Sequence, residues 1–202
     1  MGYPAIAVLE FGSVAAGIQA ADAMLKRAPV ALFKAGTVHP GRYVVLLGGT
    51  VAAVEEGHSQ GCLANPAFVL DHVMLADVHA EVYDAILGAR REPGSDALGI
   101  IETRGVASIV RAADAAVKGA EVRVSELRMA DDLGGNSFVV LDGQVSDVQA
   151  AVGIGSARAG RELLSSVTIP RLDPTLRQAV SAGTTFSTCG LLQPEGAEHA
   201  AR

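Results

Sequence analysis

A seven-residue echo constrains this chain more than any other feature: AADAMLK, Ala20 to Lys26, returns as AADAAVK, Ala112 to Lys118. The echo extends in both directions. The stretch from Ala5 through Lys26 aligns without a gap on Ala97 through Lys118, placing Glu10 on Glu102, 92 positions on. Tyr43 to Leu46 then matches Phe138 to Leu141 at an offset of 95, while Val51 falls on Val145 and Asp71 on Ser165 at 94. Offsets that drift by so little are the mark of tandem duplication. The 202 residues therefore divide into two domains of ordinary size, 1–89 and 97–182, joined by a charged, turn-rich linker, 90–96, and followed by a tail, 183–202, without a counterpart in the first copy.

Each copy reads as β-α-β-β-α-β-α, an α/β chain of the α+β, ferredoxin-like kind. AIAVLE, from Ala5, is a continuous apolar run suited to a strand covered on both faces. The helix after it is capped by Ser13, and its stripe of Val14, Ile18, Ala21 and Leu25 repeats as Val106, Val110, Ala113 and Val117, so the same face is expected to be buried twice. VALFK, from Val30, reads as the second strand and Thr37 to Gly41 as a turn. Tyr43 to Leu47 is the third strand, Val51 to about Gly61 the second helix, Val69 to Leu75 the fourth strand, and Ala80 to Ile86 a short last helix. Asp22–Lys26 and Asp114–Lys118 share the i, i+4 spacing, worth only about 0.3 kcal/mol.

Several function classes fall away. A net charge of −6 lacks the clustered cations that nucleic-acid binding requires. No apolar run approaches the length of a membrane span and no hydrophobic signal segment is seen, so a cytosolic site of synthesis is expected. Cys62 and Cys189 stand at non-equivalent places in the repeats and read as free thiols. No nucleophile elbow, phosphate loop, HExxH or CxxC is present, so no catalytic residue is assigned. Glu10 and Glu102, at matching strand ends, are expected to anchor the turn into the helix through backbone N–H groups. His58, His72, His79 and His199 lack ligand spacing and read as structural or surface residues.

Taken together, the helix bearing AADAMLK after a strand ending in Glu, the Gly-rich turn between two strands, and Ile169-Pro170-Arg171 before the last helix resemble the bacterial microcompartment shell domain. The resemblance covers both copies. Because each begins with its βα unit, it is to the non-permuted, tandem-domain type, similar to the tandem-domain shell protein of the propanediol-utilisation microcompartment. That likeness implies a homotrimer shaped as a pseudohexagonal disc, which tiles with other shell proteins around cytoplasmic enzymes and passes small polar metabolites through a central pore. It further implies edge roles for Lys26, Lys118 and Arg171, whose first-copy counterpart is Asp77. Pore positions would be Thr37, Val38, His39, Pro40 and Gly41 in one copy and Asp132, Leu133, Gly134, Gly135 and Asn136 in the other, with His39 aligned on Gly134. Arg42 and the pair Asp131–Asp132 leave the sign of the pore field open.

In the propanediol relative a TxCPGK segment carries a cluster-binding cysteine. Here the segment is Thr37-Val38-His39-Pro40-Gly41-Arg42, and with His in place of Cys an iron–sulfur cluster is not expected. Three His39 imidazoles around an axis can hold a divalent metal such as zinc, or simply set the width and pH-dependent charge of a water-filled hole. The competing class is a trimeric ferredoxin-like small-ligand sensor.

Overall fold

The computed structural model describes residues 4–95 and 97–192. Residues 1–3 of the first predicted domain, Asp96 of the predicted linker, and 193–202 of the predicted tail, with His199, lie outside the described residues. The first repeat comprises β1 (Ala5–Phe11), α1 (Val14–Arg27), β2 (Leu32–Val38), β3 (Arg42–Gly49), α2 (Val51–Ala64), β4 (Val69–Leu75) and α3 (Ala80–Ile86). The second repeats the series as β5 (Ala97–Thr103), α4 (Val106–Gly119), β6 (Val122–Met129), β7 (Ser137–Gly143), α5 (Val145–Ala159), β8 (Leu163–Ile169) and α6 (Pro174–Ala182). Each copy builds one antiparallel sheet, in the orders β2-β3-β1-β4 and β6-β7-β5-β8. The second strand begins later than the sequence suggests and runs further. Thr37 and Val38, expected in a turn, pair with Tyr43 and Arg42.

Every residue of β1 is buried, as its unbroken apolar run requires, because the sheet has two covered faces. On one, Ala7, Leu9, Phe11 and Leu47 pack with Ala20, Ala21, Met24 and Val54 from α1 and α2. The opposite face, with Ile6, Val8 and Leu46, shares a single core with Val82 and Ile86 of α3 and with Val106, Val110 and Val117 of α4. The copies are thus fused through their interiors rather than strung on a tether. The predicted linker is pinned as well: Gly94 and Ser95 N–H groups donate to the Asp142 carboxylate, and Arg90 donates to Glu126.

The expectation that one helix face is buried twice holds only for α4. In α1 the residues packed inward are Ala16, Gly17, Ala20, Ala21 and Met24, while Ile18 and Leu25 are exposed. Small residues let α1 lie close to its own sheet, and the bulky stripe faces outward. A similar close approach joins α4 to α5, where a Cβ on Gly155 would meet Ile101 Cδ1 at 2.4 Å and the Ala112 carbonyl oxygen at 3.0 Å. Gly155→Val is therefore expected to destabilise the chain by about 2 kcal/mol through overpacking, read as a lower urea midpoint with an unchanged slope.

Candidate functional site

The two hairpin loops to which the resemblance gives a pore role lie side by side. Thr37, Val38, His39 and Gly41 from one, with Asp131 and Asp132 from the other, line a single concavity, and Gly135 approaches Pro40 and Arg42. Strand pairing corrects their alignment. Leu9 faces Val45 and Ile101 faces Val139, so the third strands correspond at an offset of 94, not 95. Between the paired ends Val38–Arg42 and Ala130–Asn136 stand three residues in the first copy and five in the second. His39 consequently has no one-to-one partner in Gly134. The longer loop is closed by the Leu133 N–H on the Ala130 carbonyl and the Asn136 N–H on that of Leu133. Positive φ angles at Asp132, Gly134 and Gly135 make its tight path, a conformation that glycine and, less often, aspartate accept.

Arg42 does not add its charge to that concavity. Its guanidinium donates to Glu10 Oε1 at 2.6 Å and to the Arg104 carbonyl at 3.1 Å. Glu10 is buried, and its other oxygen accepts the Val106 N–H at 2.9 Å. The carboxylate thus anchors a helix start, as expected, but that of the opposite copy. α1 is capped by its own Ser13, whereas α4 has Gly105 at its N-cap and no side-chain cap of its own. A Cβ on Gly105 would stand 2.8 Å from Glu10 Oε2, which explains why serine gives way to glycine there. With Arg42 turned into the seam, the charged side chains lining the concavity are Asp131 and Asp132.

The two predicted edge lysines differ in setting. Lys26 is exposed and, among the described residues, pairs with Asp22 at 2.6 Å. Lys118 is half as exposed, pairs with Asp114 at 2.7 Å, and also donates to the backbone oxygen of Asp77 in the first copy. Asp114 in turn accepts the His79 N–H at 2.9 Å. Arg171, the counterpart of Asp77, is exposed just after β8.

Comparing matched positions reveals a seam that is filled once and bare once. Val110 is 0% exposed against 53% for Ile18, and Val117 is 7% against 47% for Leu25. On the strand side Val73 is 5% exposed and its counterpart Val167 48%. The covered set is where α4 packs on β4 and β1. The bare set is α1 at one end of the chain and β8 at the other, beside an apolar groove lined by Leu98, Phe138, Leu172 and Leu176.

One cluster escaped the sequence reading. His58 and Cys62 on α2 meet His72 on β4: His58 Nε2 lies 3.0 Å from His72 Nδ1 and 3.8 Å from Cys62 Sγ. Burial, and then the neighbouring His72, hold the His58 imidazole below its ordinary value, and burial pushes the Cys62 thiol up. The i, i+4 spacing of His58 and Cys62 was the signal in the sequence. The third member comes from a strand, so spacing alone could not complete the set.

The BMC domain pattern matches residues 5–78 and again 97–172. Over 169 residues the chain is 40% identical to the bacterial microcompartment shell protein PduT of Citrobacter freundii, covering 83% of this chain and 92% of that one. It is 37% identical over 90 residues to the shell protein EutM of Escherichia coli, a match of 44% of this chain with 91% of the relative. A crystal structure of a microcompartment protein from Desulfitobacterium hafniense DCB superposes with a TM-score of 0.76 at 41% identity, covering 86% of this chain and 98% of that one.

Proposed function

Given that the chain belongs to the BMC domain family and is a structural bacterial microcompartment shell protein, we propose that three copies close into a pseudohexagonal disc whose hairpin loops surround a pore. The observation that carries this reading is the seam filled once within the chain and bare at its two ends. A heterologous surface that repeats head to tail closes into a ring when its rotation permits. In such a ring α1 of one subunit takes on β8 of the next the position that α4 holds on β4. Lys26 then reaches the Arg171 carbonyl of its neighbour as Lys118 reaches that of Asp77, and both lysine sites lie at the rim, where discs meet other shell proteins. Arg171 contributes three cations to that rim.

Around the axis, three short loops carrying His39 alternate with three longer ones carrying Asp132, Leu133, Gly134 and Gly135. With Arg42 bound to Glu10, Asp131 and Asp132 give the opening a negative field at neutral pH. Such a ring favours neutral polar metabolites and cations over anions. Pore imidazoles set its width and charge rather than catalysing a reaction. The family assignment favours this shell role over the ligand-sensing regulator.

Sedimentation of the purified chain should give three times the 20.6 kDa chain mass, and concentrated protein should form hexagonal sheets under the electron microscope. Lys26→Ala is expected to retain the trimer and lose the sheets. A monomer in solution would refute the ring, and unimpaired sheets from Lys26→Ala would refute the edge role.

A further inference from the structure

We propose that His58, Cys62 and His72 form a Zn2+-binding site on the first repeat, separate from the pore. Their three ligand atoms all lie within 4.8 Å of one another. A tetrahedral zinc ion with N and S ligands sets N···N at about 3.4 Å and N···S at about 3.6 Å. The 3.0 Å and 3.8 Å separations around His58 Nε2 are within a few tenths of an ångström of those values. Among the described residues this is the one group of three or more His, Cys, Asp or Glu side chains so disposed.

The surroundings also fit. His58 and Cys62 project from one face of α2 at successive turns, and the sheet fixes His72 opposite them, so the ligands sit on rigid elements. Asp71 accepts the backbone N–H of His72 at 2.8 Å and is itself held by Arg111 at 2.9 Å, which steadies the strand that presents His72. The cluster opens on a groove beside Pro66, Leu70 and Arg161, leaving a fourth position for water or for a donor from outside. Two imidazoles and a thiolate suit a borderline ion such as Zn2+ and disfavour Mg2+ or Ca2+, which take oxygen ligands. Binding displaces the Cys62 proton to solvent, so it strengthens as pH rises. The second repeat has Val152, Ser156 and Ser166 at the matching places, so a disc would carry three such ions, one per chain.

The test uses the full chain with Cys189→Ser, which leaves one thiol. After EDTA dialysis, Zn2+ is titrated in competition with a chromophoric chelator. One ion per chain is expected, bound at least about 100-fold more weakly by His72→Ala and by Cys62→Ser, a loss above the range for an outer-shell group. His39→Ala should bind as the parent does. Co2+ should give a thiolate charge-transfer absorption that disappears in Cys62→Ser. His72 is exposed, so its replacement leaves the fold intact, as circular dichroism will verify. Equal affinity in His72→Ala would overturn the site. So would one ion per three chains abolished by His39→Ala, which would put the metal at the pore.

Discussion

Ile18→Asp is expected to yield a folded chain that no longer closes into a trimer. In the single chain Ile18 is exposed, so the substitution should move chain stability by no more than about 0.5 kcal/mol. In the ring the aspartate would be buried against the neighbour's β8 without a partner, costing about 3 kcal/mol at each of three contacts, or roughly a hundred-fold per contact. Val110→Asp makes the complementary case. Its side chain is fully buried between α4 and the first repeat, so the same chemical change should unfold the chain itself. Sedimentation and circular dichroism on the two variants separate the outcomes. A trimeric Ile18→Asp would mean that α1 faces solvent in the assembled protein.

Glu10→Ala should cause a large loss of chain stability. The carboxylate joins Arg42 of one copy to the start of α4 in the other. Its removal leaves the Val106 N–H without its acceptor, strands the Arg42 charge and opens a void, a combination costing about 3 kcal/mol. For a chain of this size that corresponds to a fall of about 10 °C in Tm. Glu10→Gln keeps the shape and one acceptor oxygen and should lose much less. Equal loss in both variants would assign the effect to charge rather than to the helix start.

The two-copy plan and the sheet-and-helix order were legible because they rest on local patterns: unbroken apolar strands, capped helices and a long self-match. The fate of Ile18 and Leu25 was not, since α1 has two apolar faces and only the one built of Ala16, Ala20 and Met24 meets its own sheet. A hydrophobic stripe announces burial without saying whether the partner is in the same chain. Self-matching distributes a length difference by residue similarity and so misaligns the loops, while pairing of Val45 and Val139 with β1 and β5 fixes it physically. The strand-end position of Glu10 marks it as a helix anchor but does not say which helix, because the N–H it accepts lies 96 residues away. The meeting of His58 and Cys62 with His72 depends on how a helix packs over a strand, and no spacing rule encodes that.

The unequal hairpins, three residues against five, have a consequence for how such a protein can change. In a ring of six identical subunits every altered side chain appears six times around the opening, and a single charge is an abrupt step. In the proposed ring of three, joining two copies in one chain halves that multiplicity. One hairpin can lengthen, or change a side chain, while the other keeps the lining continuous, so the electrical and steric character of the proposed opening can be graded in increments of three.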